Sequence, residues 1–403
     1  MKLIYLANIR MPTEKAHGLQ IIQNCEAFAD AGAEVQLWVA RRQNTEALAG
    51  VDPFAHYGVK RNFSLLRLFT VDLIWVRGLN NSKMIFALQM FTFILSAMFQ
   101  ALVTSADVFY SRDAQTLVML SLFKRRYQLA YEAHSLAKGR VGRWFQKQAV
   151  LRCGSIFATT QHLKNDLVEL GALREHVFVA HDGIRAARFE NLPDQQTARR
   201  QIGWPQDAFI VGYVGRLQTM AMDKGVGTLV RSLSALESVS LGLVGGPDEH
   251  ANQLRGVWLE QGKPADQFLY AGQVKPDDVP LYLRAFDVCV MPFPFTPHFA
   301  YYASPIKLFE YLASGRPVVA TELPSTLEVV QQGQTAILVP PDDVHALTQA
   351  ILRLQMDEPL RIELGENGHQ LVITAYTWGA RTAMILDKLN LAIAKSTTGA
   401  GIE

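Results

Sequence analysis

The stretch S-P-I-K-L-F-E-Y-L-A-S-G-R-P-V-V-A-T-E, residues 304–322, predicts a helix that begins after a loop and leads into a core strand. Pro305 suits the first turn of a helix, where a missing N–H costs nothing. Ile306 starts an apolar stripe at helical spacing. Gly315 ends the helix because it tolerates a positive φ, and residues 317–321 then read as a short buried strand.

The N-terminus of this helix is a candidate anion site, because its free N–H groups and its dipole face outward. Ser304 and Lys307 would add a hydroxyl and a positive charge there. Glu310 is one charge inside an otherwise apolar helix. It is read either as a solvated side chain or as a carboxylate that accepts two sugar hydroxyls from a nucleotide.

The rest of the chain alternates short apolar strands with helical segments. A strand at residues 2–7, a loop and a helix beginning at Gly18 open a first series, and a strand at residues 209–214 opens a second. A polar, proline-bearing segment at 191–207 reads as the linker between them, and a last helix is predicted at 378–393. We therefore predict an α/β protein with two doubly wound sheets in tandem.

Length and cysteine content agree with this organisation. A chain of 403 residues is long enough for two or three domains. The three cysteines lie far apart and in no metal-binding spacing, which indicates a reducing compartment. Residues 1–7 lead directly into a strand pattern, so no cleavable signal peptide is predicted. We expect a cytoplasmic protein.

The net charge of +2 conceals an asymmetry along the chain. Residues 1–190 hold 23 Lys and Arg against 15 Asp and Glu, whereas the remainder hold 16 against 22. The basic first half could face phosphates, an anionic acceptor or an anionic membrane. A solvated basic surface without a partner explains the same count.

Residues 85–103 contain no charge and reach the minimum length of a membrane span. Polar side chains recur in this segment at helical spacing, which favours a domain helix, or one that touches a membrane surface, over a span. They are Gln89, Thr92, Ser96 and Gln100. The irregular segment 41–83 mixes Arg67, Arg77 and other cations with Trp75 and other apolar residues, which would suit a monotopic attachment.

Two cations, Arg216 and Lys224, follow the first strand of the second series. Arginine presents a planar fork for two phosphate oxygens, and lysine adds a point charge. Near Ser304 and Lys307 they would hold a diphosphate and neutralise it as a leaving group. Lys224 taken alone also reads as a surface charge.

His134 comes directly after the predicted strand 129–133. It is read as a general base, as a hydrogen-bond donor to a sugar, or as a satisfied core imidazole. The chain has no Asp-X-Asp sequence and no His/Asp/Glu cluster at ligand spacing, so no catalytic metal is expected.

Together these motifs resemble those of retaining glycosyltransferases of the GT-B fold, specifically glycosyltransferase family 4. The resemblance covers nearly the whole chain except residues 41–104. The segments that carry it are G-R-L at 215–217 with K-G at 224–225, G-G-P at 245–247, the stretch 304–321, H-D-G-I at 181–184, E-A-H at 132–134 and M-P-T-E-K-A-H-G-L-Q at 11–20.

The resemblance implies two Rossmann-like doubly wound domains that face each other across a cleft. Residues 1–190 would form the acceptor domain, and residues 191–375 the domain that binds the nucleotide-sugar donor. Residues 376–403 would form a C-terminal helix that crosses back to the first domain and ends in a loose tail.

The resemblance also implies a role for each candidate residue. Arg216 and Lys224 would bind the donor diphosphate, and His134 would touch the donor sugar. Glu310 would accept the ribose hydroxyls. The donor-binding positions implied as a set are Gly18, Gly246, Val274, Ser304, Ile306, Lys307 and Glu310.

The implied reaction moves a sugar from a nucleotide diphosphate sugar to a hydroxyl of a glycan, lipid or small molecule, with retention at the anomeric carbon. No metal or other cofactor and no nucleic acid would take part. The leaving diphosphate would accept the acceptor proton. The enzyme would act in the cytoplasm, with a peripheral position on the inner face of the membrane as one option.

This sequence departs from the family pattern in two places. Tyr302 occupies the position of the first glutamate of the family's glutamate pair. The loop between Arg216 and Lys224 is about three residues longer than is usual in the family. Tyr302 leaves open a non-catalytic binding subunit. A sugar-nucleotide epimerase or hydrolase on the same fold is a third option, with Glu132 or Asp113 as its carboxylate.

Overall fold

The structure is a computed structural model that describes residues 1–73, 83–219 and 222–397. In chain order the strands are β1 (Lys2–Ala7), β2 (Glu34–Ala40), β3 (Ser64–Leu68), β4 (Val108–Ser111), β5 (Leu129–Ala133), β6 (Ser155–Ala158), β7 (Val177–Val179), β8 (Phe209–Val214), β9 (Gln218–Thr219), β10 (Met222–Asp223), β11 (Val239–Val244), β12 (Phe268–Gly272), β13 (Val288–Met291), β14 (Val318–Thr321) and β15 (Ile337–Val339).

The α-helices in chain order are α1 (Ala16–Asp30), α2 (Pro53–Tyr57), α3 (Lys83–Val103), α4 (Ala114–Leu120), α5 (Arg140–Arg152), α6 (Gln161–Glu169), α7 (Gln195–Ile202), α8 (Val226–Ser234), α9 (Asp248–Glu260), α10 (Val279–Ala285), α11 (Ile306–Ala313), α12 (Pro324–Leu327), α13 (Val344–Met356), α14 (Glu358–Ala375) and α15 (Trp378–Thr397). The elements form two compact units, one of Met1–His181 with Trp378–Glu403 and one of Asp182–Thr377.

The first unit is built on a parallel sheet of seven strands among the described residues, in the order β3-β2-β1-β4-β5-β6-β7. Strand β1 is buried on both faces, as its continuous apolar run predicts. The order of the chain reverses between β1 and β4. Ligands of open α/β sheets bind beyond the strand ends at such a switch point.

The second unit repeats this plan with six parallel strands among its described residues, in the order β12-β11-β8-β13-β14-β15. Its switch point lies between β8 and β13. The opening stretch of sequence supplies α11 and β14, and Gly315 ends α11 with a φ of +68°. The predicted α/β class with two doubly wound sheets is therefore confirmed.

The last helix, α15, belongs to the first unit and packs on α1. Trp378 Nε1 donates to Gln23 Oε1 at 2.9 Å, and Arg381 Nη1 donates to Asn24 Oδ1 at 3.1 Å. The chain thus returns to the first unit after completing the second unit, as the sequence predicts.

The units change over at His181 and Thr377 rather than at the predicted residues 190 and 375. The segment after His181 is held inside the second unit by two contacts. Asp182 N–H donates to Ser304 Oγ at 2.8 Å, and Ile184 forms a parallel bridge with Thr377. These long-range contacts are invisible in the local sequence.

The segment 191–207 is not simply a linker, because it contains α7. Asp194 caps this helix by accepting from Thr197 N–H at 2.8 Å, and Gly203 ends it at a φ of +71°. The sequence carries both signals. The mostly polar composition of this helix masked them.

The segment 41–73, read as irregular, holds α2 and β3, and β3 pairs in parallel with β2. Two of its cations make contacts inside the first unit: Arg61 pairs with Asp52 at 2.7 Å, and Arg67 Nη2 donates to Met11 O at 3.2 Å. Trp75 and Arg77, which belonged to the predicted basic and aromatic attachment run, lie outside the described residues.

Candidate functional site

A pocket of about 500 Å³ lies in the second unit at the C-terminal ends of β8 and β11. Three of the predicted site residues line it: Arg216, Gly246 and Val274. Arg216 follows β8 directly and its side chain is exposed. The pocket therefore sits beside the switch point of the second sheet, where the motifs placed the donor site.

Two glycines allow the strand ends beside this pocket to come close together. Gly215 has a φ of +130°, and a Cβ there would lie 1.2 Å from Lys307 Nζ. Gly245 has a φ of +119°, and a Cβ there would lie 2.2 Å from the carbonyl oxygen of Gly215. Any larger residue at either position would displace the backbone or the lysine.

Lys307 lies behind Gly215 and is fixed by its own contacts. Its Nζ donates to Val214 O at 2.7 Å and lies 5.5 Å from the ring centroid of Tyr213. Burial and the charge of Lys224 lower the pKa of Lys307 to about 7, although Glu310 acts in the opposite direction.

Lys224 is 8% exposed, and burial together with Arg216 lowers its pKa to about 8. The loop before it is a small antiparallel hairpin of β9 and β10, which accounts for its extra length. Asp223 Oδ2 then accepts from Gly225 N–H at 2.9 Å. Within the described residues neither Lys224 nor Lys307 makes an ion pair with a carboxylate, so this corner of the unit carries unneutralised positive charge.

Glu310 does not line the pocket, and its side chain remains 21% exposed. Burial raises the pKa of Glu310, against the opposing charges of Lys307 and Arg188. Arg188 Nη1 lies 3.9 Å from Glu310 Oε1, and Arg188 Nε lies 3.4 Å from Asp277 Oδ1. Sequence reasoning missed Arg188, which lies in a short turn of the second unit four residues after the H-D-G-I segment.

The start of α11 differs from the predicted anion site. Ile306 N–H already donates to Ser304 O at 3.0 Å, so the first amide of the helix is occupied. Ser304 Oγ accepts from Asp182 N–H. Tyr302 ends a short π-helical turn, His298–Tyr302, that leads into α11. The first amide of the helix is therefore not available to an anion, and Lys307 supplies a positive charge near this end.

The first unit has its own pocket of about 560 Å³, at the carboxyl ends of β1, β4 and β5. His134 lines it, together with His17, Arg112, Asp113 and Glu132. The predicted His134 is thus a pocket residue rather than a core imidazole. His17 has a lowered pKa, mainly because it is buried and also because Lys15 and Arg112 are near.

Glu132 organises this pocket. His134 Nε2 lies 2.6 Å from Glu132 Oε1, and the same oxygen lies 2.8 Å from Arg112 Nη2 and 3.1 Å from Arg381 Nη2. Tyr110 OH donates to the other oxygen. Burial alone would raise the pKa of Glu132, but the two arginines hold it well below its usual value. The carboxylate is therefore ionised and fixes the orientation of His134.

Gly18 is buried in the first unit but does not line this pocket. A Cβ at Gly18 would lie 2.4 Å from Thr13 Cγ2 and 2.5 Å from Tyr57 OH. That hydroxyl donates to Thr13 O and accepts from Thr13 N–H, both at 2.7 Å. Close packing of the loop 8–17 thus explains this glycine without a ligand.

Arg112 and Arg381 are the site residues that sequence reasoning missed in the first unit. Arg112 follows β4 at the same sheet edge as His134, and that position was its only signal. Arg381 comes from α15, hundreds of residues away in the chain. No local pattern could reveal it.

Comparisons with known proteins agree with this architecture. Residues 208–357 match the family described as glycosyl transferases group 1. A curated relative, D-inositol 3-phosphate glycosyltransferase of Corynebacterium glutamicum, is 26% identical over 67% of this chain and 68% of its own length. Other curated relatives are matched over about half of their own length.

Two solved structures share the fold over nearly the whole chain. Sucrose-phosphate synthase of Thermosynechococcus elongatus superposes with a TM-score of 0.74 at 18% identity, covering 98% of this chain and 99% of that one. HepE of Anabaena in complex with UDP superposes with a TM-score of 0.72 at 18% identity, covering 97% and 100%. These comparisons agree with the predicted resemblance: residues 208–357 match the group 1 glycosyltransferase family, and the chain has the GT-B fold.

Proposed function

We propose that this protein transfers a sugar from a nucleotide diphosphate sugar to a hydroxyl acceptor, with retention at the anomeric carbon. The observation that carries the proposal is the pair of buried lysines, Lys224 and Lys307, near Arg216 at the pocket of the second unit. Burial is the main cause of both lowered pKa values and a neighbouring cation the second, and a diphosphate would supply the opposite charge.

In the proposed reaction the bond between the anomeric carbon and the donor phosphate oxygen breaks, and a bond to the acceptor oxygen forms on the same face. The proton of the acceptor hydroxyl moves to the leaving phosphate oxygen. Arg216, Lys224 and Lys307 would stabilise the negative charge that develops on the diphosphate. Because three cations can supply this charge, we propose that transfer needs no metal.

Glu310 would accept the ribose hydroxyls in this proposal, and Gly246 and Val274 would lie against the nucleotide. HepE was solved with UDP and with UDP-glucose, which supports a donor of this class. His134, oriented by Glu132, would donate a hydrogen bond to the donor sugar. We further propose that the protein acts in the cytoplasm, where its three buried, unpaired cysteines stay reduced.

The geometry of the first unit speaks against an epimerase or hydrolase that uses Glu132 or Asp113. Glu132 is buried against two arginines, and its pKa is too low for it to take up and release a proton at neutral pH. Asp113 caps α4 and accepts from Thr116 Oγ1 at 2.6 Å. The second candidate function is a non-catalytic binding subunit, which Tyr302 favours because it replaces a carboxylate.

A thermal-shift screen tests the proposal with UDP, GDP, ADP and their glucose conjugates, with and without EDTA. A ligand that binds only the folded state raises the melting temperature. We expect one diphosphate to raise it by several degrees regardless of EDTA. Arg216→Ala and Glu310→Ala should each abolish the shift, whereas the matched exposed variants Arg353→Ala and Glu363→Ala should keep it.

Absence of a shift with every nucleotide would overturn the donor assignment, and a shift that EDTA removes would overturn metal independence. Transfer is then assayed with the nucleotide that binds. Tight binding without transfer to any hydroxyl acceptor would favour the non-catalytic binding subunit. Release of free sugar into water would indicate a hydrolase.

A further inference from the structure

Helix α3 exposes a row of large apolar side chains to solvent. They recur every three or four residues and so form one face of the helix; they are Met84, Leu88, Phe91, Leu95, Phe99 and Leu102. Phe99 is 70% exposed. The helix is long and apolar enough to cross a membrane by length and composition. Such a large exposed apolar face on a folded domain indicates an interaction site.

The opposite face of α3 is packed against its own unit. Phe93 and Ala97 are completely buried. Gln89 Nε2 donates to Asn8 Oδ1 at 2.6 Å, and Ser96 Oγ donates to Phe69 O at 2.8 Å. A helix held along the domain in this way cannot cross a bilayer without abandoning these contacts. It can lie on one.

Helix α4 connects α3 to α5, because α3 packs on α4 and α4 packs on α5, but α4 itself has no exposed residue. The connections β3–β4, β4–β5 and β5–β6 all step towards the β7 edge of the sheet. Right-handed crossovers in one direction place their helices on the same face. Helices α3 and α5 therefore lie on the same face of the sheet, and their outer sides face the same way.

The exposed side of α5 combines positive charge with apolar and aromatic side chains. Arg140, Arg143 and Lys147 are exposed, and between them Val141 and Trp144 are exposed by 71% and 53%. The three helices contain no acidic residue. A layer that is basic, aromatic and free of carboxylates matches the headgroup region of an anionic bilayer.

We propose that the outer sides of α3 and α5 form a docking surface for anionic membranes, with α3 lying in the interface parallel to the bilayer plane. The apolar row of α3 enters the acyl boundary, and the cations of α5 contact the lipid phosphates. A second copy of the chain is a poor occupant, since in a two-fold dimer on this face α3, α4 and α5 would offer no carboxylate to pair with the partner's cations. The proposal does not depend on the proposed sugar transfer.

Vesicle flotation of the full-length protein tests the docking surface. We expect it to float with vesicles of phosphatidylcholine and phosphatidylglycerol, and to float less at high salt or with phosphatidylcholine alone. The double variant Phe91→Ser/Phe99→Ser should lose flotation under all conditions. The triple variant Arg140→Gln/Arg143→Gln/Lys147→Gln should lose only the salt-sensitive part.

The matched control is Met356→Ser/Ile362→Ser, which removes two exposed apolar side chains from the second unit and should float like the wild type. Failure of the wild type to float, or normal flotation of the phenylalanine variant, would overturn the proposal. A dimer in light scattering that the phenylalanine variant converts to a monomer, without flotation of either, would assign the face to a second copy.

Spin labels on α3 distinguish lying from spanning. The three native cysteines are buried, so single labels can be placed at Met84→Cys, Leu95→Cys and Phe99→Cys. A helix in the interface should place all three labels at one shallow depth. A label at Leu95→Cys that is much deeper than the one at Met84→Cys would contradict the proposal and indicate insertion across the bilayer.

Discussion

The two pockets differ in whether the protein neutralises the charged side chains beside them. In the first unit the carboxylate of Glu132 lies within 3.1 Å of both Arg112 and Arg381, so its charge is neutralised inside the fold. In the second unit burial lowers the pKa of both Lys224 and Lys307, and the charge of Lys224 lowers that of Lys307 further. That pocket is left with positive charge that the protein itself does not neutralise.

The charge network of the first unit fixes the orientation of a side chain, whereas the cations of the second unit form a site for an anionic ligand. A neutralised network of ion pairs stabilises one geometry, here that of His134. Unneutralised buried cations cost stability until an anion enters. Removing a charge should therefore harm the fold in the first unit and harm only ligand binding in the second.

The largest expected effect follows from Glu132→Gln, which leaves the buried Arg381 and the partly buried Arg112 without their anion. Breaking a buried ion pair on one side costs about 3–5 kcal/mol. We expect a loss of that size in the free energy of opening of β5 and β6, measured by native-state hydrogen exchange, with β11 of the second unit unchanged as the internal reference.

Glu169→Gln, at an exposed glutamate of α6, is the matched control and should leave all three strands unchanged. Because the pKa of Glu132 is depressed, its contribution is present above the unfolded value of 4.5 and is lost as pH falls below it. If β5 and β6 of the wild-type protein kept their full stability at low pH, Glu132 would not be the residue that holds this network together.

Lys224→Met should have the opposite signature. Loss of one cation at the diphosphate site should lower the transfer rate about a hundred- to a thousandfold. The ligand-free second unit should be as stable as the wild type or more so, because one of two unneutralised cations is gone. Hydrogen exchange of β8 and β11, together with turnover, measures both quantities.

The pH dependence of wild-type stability tests whether the charge of Lys224 destabilises the ligand-free second unit. The folded pKa of Lys224 is about 8 and the unfolded value is 10.5, so the unfolded chain binds more protons between these values. Stability of the second unit should rise with pH in that range, and Lys224→Met should flatten the rise. A variant that is clearly less stable than the wild type at pH 7 would contradict the comparison.

The sequence predicted the two sheets and the corner around Arg216, Lys224 and Lys307 because these depend on local order: a buried strand, a glycine and then a cation. Core strands keep continuous apolar runs, and β5 and β8 were placed to the residue. Short polar elements such as α7 were missed, because their burial depends on neighbours distant in the chain.

The neutralised site was the harder one to predict for the same reason. Glu132 and His134 are adjacent in sequence, but Arg381 reaches them only because α15 packs on α1. The occupied amide of Ile306 likewise depends on how the loop before α11 turns. Pairings of this kind arise from tertiary packing and leave no periodic trace in the sequence.

The smallest expected effect tests a site intermediate between the two extremes. Glu310 has one arginine at 3.9 Å, where Glu132 has two at shorter range, and burial raises its pKa. At this separation, with both side chains still reached by solvent, such a pair is worth about 1 kcal/mol or less. Arg188→Gln should therefore weaken binding of a nucleoside diphosphate no more than about fivefold near neutral pH.

The diagnostic readout for Arg188→Gln is the acid limb of the binding curve. Glu310 must be ionised to accept ribose hydroxyls, and loss of Arg188 raises its pKa further, so affinity should begin to fall at a higher pH than in the wild type. Calorimetric titrations across pH, with Arg353→Gln as the matched control, measure this shift. Tighter binding by Arg188→Gln would mean that Arg188 competes with the ribose for Glu310, so that the second unit neutralises this one charge in the manner of the first.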